Sequence, residues 1–182
     1  VQEIFPEFVT TLSRKGEGKM KIVQRPRRLR RNHSIREAVA ETQCSVSQLV
    51  YPLFVQELGQ DDAIGSMPGV TRWSEKSLPK VLENCLELGV QSVIFFPKIP
   101  DSQKDSSAKE ALNPNGFVPR LIQESKKRFP ELTLFSDIAL DPFSSDGHDG
   151  LVKEGKILND ETVEILAKMA VLHAEAGVDF VA

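Results

Sequence analysis

Four short apolar runs, separated by stretches with helical rhythm, set the frame of this chain. Leu49-Val-Tyr-Pro-Leu-Phe-Val55 is β-branched and aromatic and predicts the first strand, with Pro52 tolerable near an edge or a bulge. Ser77 and Pro79 open a predicted helix that places Leu78, Val81, Leu82, Cys85 and Leu86 on one face, and Gly89 closes it. Gln91-Ser-Val-Ile-Phe-Phe96 is the second strand. A helix from about Val118-Pro119 turns Leu121, Ile122 and Ser125 inward and stops at Pro130, before a third strand from Leu132 to Ser136. Asn159 or Asp160 is expected to cap the longest helix, with Val163, Leu166, Ala167, Ala170, Val171 and Ala174 as its buried stripe. Gly177 ends that helix, and Val178-Asp-Phe-Val-Ala182 is a fourth strand. Nearer the start, Ser34 is expected to cap a short helix with Glu37 in the capping-box position.

Strands apolar on both faces and joined by helices predict an α/β fold with a parallel sheet. Two junctions echo each other: Glu87-Leu-Gly-Val90 and Glu175-Ala-Gly-Val178 both end a helix in glycine and begin a strand. Repeating βα units of this kind suit an open doubly wound sheet or a (β/α)8 barrel, and about four units would make half a barrel.

A chain of 182 residues with 40% hydrophobic content can bury a sizeable core. Its formal charge of -3 does not call for a nucleic-acid or membrane partner. Cys44 and Cys85 form neither a disulfide framework nor a metal spacing. No apolar run reaches the roughly 18 residues of a membrane span, and no signal peptide is recognisable. The first 33 residues read as an N-terminal arm, and residues 34–182 as the globular part. Within the arm, Ile4, Phe5, Phe8 and Val9 precede the basic run Arg25-Pro-Arg-Arg-Leu-Arg-Arg31. No aromatic residue interleaves these arginines, so subunit packing is a better expectation than nucleic-acid binding. The chain begins at Val1 and stops inside an apparent strand, which suggests a piece of a longer protein.

The chemistry concentrates where the third strand ends. Asp137, Asp141, Asp146, His148 and Asp149 fall within thirteen residues, broken by Pro142, Gly147 and Gly150. Ligands sit at the carboxyl ends of strands in either candidate fold. Oxygen donors at this density suit a hard cation such as magnesium. His148 is expected to move protons or to order the loop, with Ser145 as further loop support. Asp146 reads as a turn former. Lys98 reads as a solvated loop amine, Cys85 as core, His173 as packing or surface, and His33 as structural or solvated.

The residues then match a known family. Arg25-Pro-Arg-Arg, Tyr51-Pro-Leu-Phe-Val, Ser66-Met-Pro-Gly, Phe96-Pro-Lys-Ile-Pro, Asp137-Ile-Ala-Leu-Asp-Pro-Phe-Ser-Ser-Asp-Gly-His-Asp-Gly150 and Asn159-Asp-Glu-Thr-Val resemble, in order, segments of the porphobilinogen synthase (5-aminolevulinate dehydratase) family. The resemblance implies the first part of a (β/α)8 TIM barrel, with an arm that packs a homo-oligomer, usually an octamer. It implies condensation of two 5-aminolevulinate molecules to porphobilinogen with loss of two waters, on the way to haem and chlorophyll. Asp137 would be a catalytic aspartate. One branch of the family binds zinc through three cysteines at the positions of Ala139, Asp141 and Asp149. The carboxylates Asp141 and Asp149 therefore place this chain in the magnesium branch, with no zinc expected at the site. Its location would be the cytoplasm if bacterial and the plastid stroma if algal or plant. The family's two Schiff-base lysines have no counterpart here, so this chain alone is expected to be inactive and, with an open sheet edge, prone to aggregate. Two rivals remain: a magnesium-dependent phosphatase with an aspartate nucleophile on the third strand, and a non-catalytic assembly fragment.

Overall fold

A computed structural model of the chain describes residues 25–182. The expectations placed on Ile4, Phe5, Phe8 and Val9 lie outside the described residues. The described residues up to Gln43 belong to one unit, and Cys44–Ala182 form a second. In the first unit Pro26–Arg30 make a 3-10 turn, followed by helix α1 (His33–Ala38). Its cap is Asn32 rather than Ser34: the Asn32 side chain accepts from Ile35 N at 2.9 Å. The helix begins two residues earlier than the Ser-x-x-Glu spacing implies, and Asn32 holds the extended backbone that a cap requires.

The second unit is a sheet with helical cover. Strands β1 (Val50–Gln56), β4 (Ser92–Lys98), β5 (Thr133–Ser136) and β8 (Phe180–Val181) are the four anticipated ones, all parallel. Helices α2 (Leu78–Glu87), α3 (Phe117–Arg128) and α4 (Asn159–Ala176) connect them. The segment between β1 and α2 adds two strands that the hydrophobic pattern does not reveal: β2 (Asp62–Ala63) and β3 (Thr71–Ser74). β3 runs parallel to β1 but meets it only over Phe54–Gln56, so Pro52 faces no strand on that flank. A small hairpin, β6 (Val152–Lys153) with β7 (Lys156–Ile157), precedes α4.

The sheet order is β2-β3-β1-β4-β5-β8. The four anticipated strands β1, β4, β5 and β8 lie side by side in chain order, while the short β3 flanks β1 on its other side. Four such neighbours with helical returns are what the first part of a (β/α)8 barrel contains. The strand that ends at Asp137 follows β1 and β4 instead of opening the sheet, which counts against the phosphatase arrangement.

Alternation along the strands separates two layers. Leu53, Val55, Val93, Phe95 and Leu134 face the helices and are fully buried against Leu78, Leu82, Leu121, Ile122 and Met169. The opposite row faces the concave side of the sheet, where Phe54 stacks on Phe96 at 5.4 Å and Phe135 on Phe180 at 4.7 Å. The two echoing junctions share one geometry. Gly89 and Gly177 sit at φ +78° and +102°, and Val90 N and Val178 N each bond back to the last helical turn, at Cys85 O and His173 O. Asp179 then latches β8: its carboxylate accepts from Leu134 N at 2.8 Å and from Lys126 Nζ at 2.9 Å.

α4 departs from expectation twice. Its cap position is Leu158, whose apolar side chain cannot accept from the first N–H groups, and Thr162 Oγ1 donates back to Leu158 O at 2.6 Å. Its buried residues are Thr162, Met169, His173 and Ala176, whereas Val163 and Val171 are exposed. The helix carries apolar residues on two faces, and only the position of the sheet selects between them. His173 is consequently buried, and burial lowers its pKa from 6.5 to about 4. The unfolded chain thus binds a proton between pH 6.5 and 4 that the folded one does not. This imidazole leaves stability untouched above pH 6.5 and removes roughly 3 kcal/mol as the pH falls to about 4. We expect urea titrations across that window to show a steeper acid loss for the native sequence than for His173→Gln.

Candidate active site

The strand ends converge on a concave pocket of about 280 Å³. Phe54 and Phe96 form its apolar floor, Arg72, Lys98 and Lys104 one side, and Asp137, Asp141 and Pro142 the other. Arg72 and Lys104 are engaged by outer carboxylates, Asp62 at 3.3 Å and Asp101 at 3.0 Å. Lys98, expected in a loop, is instead the last residue of β4 and reaches the pocket.

Asp137 is the first residue past β5. Ala182 brackets it through the backbone: Ala182 N donates to Ser136 O, and Ile138 N donates to Ala182 O, both at 2.9 Å. The chain then drops Leu140 and Phe143 into the core, which fixes where Asp141 emerges between them. Ser144 N bonds to Leu140 O at 2.8 Å, and Ser145 N to Asp105 O at 3.1 Å. Asp105 is a support that the sequence reading missed. Its carboxylate accepts from Ser107 N and Oγ, and its backbone staples the β4–α3 connection to the acidic loop through a parallel bridge to Ser144. The Asp105-Ser-Ser107 run is an Asx-turn signature that could have marked it.

Beyond the turn, Asp146 N donates to Ser144 Oγ at 3.1 Å, and His148 Nδ1 accepts from Gly150 N at 3.0 Å. His148 thus folds onto its own loop. Gly150 is buried where α4 presses closest. A Cβ there would stand 2.9 Å from Ile157 Cγ2 and 3.3 Å from Thr162 Oγ1. Thr162, which also escaped the sequence reading, holds the loop exit by accepting from Leu151 N at 3.0 Å.

The result gathers like charges. Burial, then the negative charge of Asp149, push the Asp137 carboxyl above its ordinary range. Asp141 is raised by the protein beneath it, although one side is open to solvent. The charge of Asp149 and a hydrogen bond shared with it add to that rise, and Asp137 contributes a smaller part. A carboxyl in this setting can hold a proton closer to neutrality than a free aspartate, or a cation can relieve the repulsion. Among the described residues no three Asp, Glu, His or Cys side chains converge as a metal-ligand set. The Asp141–Asp149 pair offers hard oxygen donors without a closed cage, which fits an ion that retains much of its water shell.

Fold and site together define a barrel protein whose acidic loop caps the carboxyl ends of the parallel strands. Residues 23–182 match the family model described as delta-aminolevulinic acid dehydratase, and the chain belongs to that family. It is 47% identical over 165 residues to the chloroplastic delta-aminolevulinic acid dehydratase of Selaginella martensii, covering 89% of this chain and 39% of that protein. The chloroplastic enzyme of Oryza sativa subsp. japonica is 50% identical over 164 residues, with 88% and 38% covered. The delta-aminolevulinic acid dehydratase of Chlamydia pneumoniae is 45% identical over 161 residues, with 87% and 48% covered. Among solved structures, the porphobilinogen synthase of Toxoplasma gondii in complex with porphobilinogen superposes with a TM-score of 0.85 at 44% identity, over 90% of this chain and 47% of that one. The chain thus spans about two fifths to one half of the relatives it matches.

Asp149 repels both neighbours, so neutralising it should relax them. Asp149→Asn is expected to lower the pKa of Asp137 and Asp141 towards ordinary values in a carboxyl-carbon NMR titration. It should also stabilise the fold at pH 7 by a few tenths of a kcal/mol up to about 1 kcal/mol, a gain that vanishes in acid once the carboxyls are protonated.

Proposed function

We propose that this chain supplies the carboxylate-bearing side of a porphobilinogen synthase site. The complete protein condenses two 5-aminolevulinate molecules to porphobilinogen with loss of two waters, in tetrapyrrole synthesis. The observation that carries the reading is the placement of Asp137 at the end of a barrel strand, bracketed by Ala182 and raised in pKa, within a family whose Toxoplasma gondii member was solved with porphobilinogen. Loss of water from a carbonyl and removal of a carbon-bound proton both need a group that exchanges protons near neutral pH. Asp137 is that group. Phe54 and Phe96 keep the floor of the pocket apolar, so solvent competes less for the reacting atoms.

The family's imine-forming lysines have no counterpart among the lysines of this chain, so the 182-residue chain alone turns over no substrate. The basic run at Arg25–Arg31 serves subunit packing in a homo-oligomer, an octamer in our reading. Among the described residues no helix is long and apolar enough to cross a membrane. In our reading the protein works in the plastid stroma, in keeping with relatives described as chloroplastic, or in the cytoplasm if its source is bacterial.

Supplied with 5-aminolevulinate under reducing, magnesium-replete conditions, the complete protein should form a pyrrole detectable by colour reaction. Asp137→Asn should cut kcat by about 100-fold or more without changing the circular dichroism spectrum. Absence of pyrrole from the unaltered protein would sink the assignment and leave the assembly role.

For the metal, Asp141 and Asp149 would hold magnesium, since an all-oxygen donor set favours magnesium where thiolates favour zinc. Bound there, the ion would offset the charge of the loop and polarise an oxygen ligand. Chelation should remove activity, and magnesium without zinc should restore it. Full activity in excess chelator would exclude this role.

A further inference from the structure

The helix layer beneath the site contains one polar pair that the proposed chemistry does not use. His173, near the end of α4, and Ser136, the last residue of β5, are each only 1% exposed. His173 Nδ1 lies 3.0 Å from Ser136 Oγ. The other ring nitrogen, Nε2, is buried with no hydrogen-bond partner. A buried polar group without a partner is costly, and an apolar pair of similar shape would be as stable or more so. Stability therefore does not account for an imidazole here.

Geometry offers another role. Neighbouring residues on a strand point to opposite faces, so with Ser136 turned into the helix layer Asp137 is turned into the pocket. Whatever fixes the rotation of Ser136 fixes the aim of Asp137. The ladder with β4, which ends with Ser136 opposite Phe95, fixes the strand on one side. On the other side and behind, three bonds complete the restraint: Ser136 Oγ with His173, Ser136 O with Ala182 N, and Ile138 N with Ala182 O. The last two come from β8, an edge strand of two residues, which alone is a weak restraint. The bond to His173 comes from an 18-residue helix.

We propose that His173 is a positioning residue which, by gripping Ser136 from behind the sheet, sets the direction in which Asp137 enters the pocket. The proposal rests on the porphobilinogen synthase reading for its kinetic readout. In the complete protein the double change Ser136→Ala with His173→Phe replaces the pair by apolar groups. It should leave the thermal midpoint within about 5 °C of the native value. It should also lower kcat by about 10-fold or more, with KM for 5-aminolevulinate changed less than about 2-fold, as expected when a reacting group is misaimed. His173→Asn, whose amide nitrogen overlies the Nδ1 position and can still donate to Ser136 Oγ, should keep kcat within about 3-fold of native. Should the double variant not fold, Ser136→Ala alone, which removes a single oxygen, stands under the same criteria.

A second measurement needs no activity. Amide hydrogen exchange in the complete protein should quicken about 10-fold at Ile138 and Ala182 in Ser136→Ala, relative to Leu134 on the same strand. A folded double variant with native kcat, or unchanged exchange at Ile138 and Ala182, overturns the proposal. If the native protein makes no pyrrole, the functional reading fails, and the exchange result decides the positioning by itself.

Discussion

Everything at this site depends on like charges being held together against their repulsion. The charge of Asp149 raises the proton affinity of both Asp137 and Asp141, and Asp137 adds to the rise at Asp141. The cost is met by structure on three sides. β8 brackets Asp137 through Ala182, Leu140 and Phe143 sink the loop into the core on either side of Asp141, and Thr162 with His148 shape the loop exit beside Asp149. Carboxyls whose pKa values are shifted by burial and a neighbouring charge gather at functional sites.

The parallel sheet is what makes this support possible. Each βα unit returns the chain to the same end of the sheet, so residues far apart in sequence meet at the strand ends. Phe54, Phe96 and Asp137 come from three successive strands yet line one pocket. The concave face that carries them is apolar and half open, with Phe180 and Val181 on an edge strand paired only to β5. The relatives extend to about twice this length or more, and a barrel closes such an edge with its remaining strands.

Much of the fold is legible in the chain because its signals are local. β-branched runs gave four strands, the paired Gly-Val junctions gave two identical helix endings, and Pro130 stopped α3 after Arg128 as expected. β2 and β3 escaped because they are short and polar: Thr71-Arg-Trp-Ser74 has no hydrophobic period and pairs with β1 over only three residues. The cap of α1 shifted to Asn32 because Asn32 and Ser34, two residues apart, could each serve, and backbone conformation chose between them.

The acidic loop was readable for a similar reason: its carboxylates lie within thirteen residues, and their density is itself the signal. Asp105, Thr162 and His173 were not, since each supports the site from another element and looks ordinary in its own neighbourhood. Which face of α4 is buried could not be read either. The helix is apolar on two sides, and a strand placed against one of them excludes water there and nowhere else. The sequence by itself determined the elements, their order and the charge of the loop. The tertiary structure alone decided which side chains share a pocket and which hold it from behind, because those contacts join residues whose separation along the chain carries no local pattern.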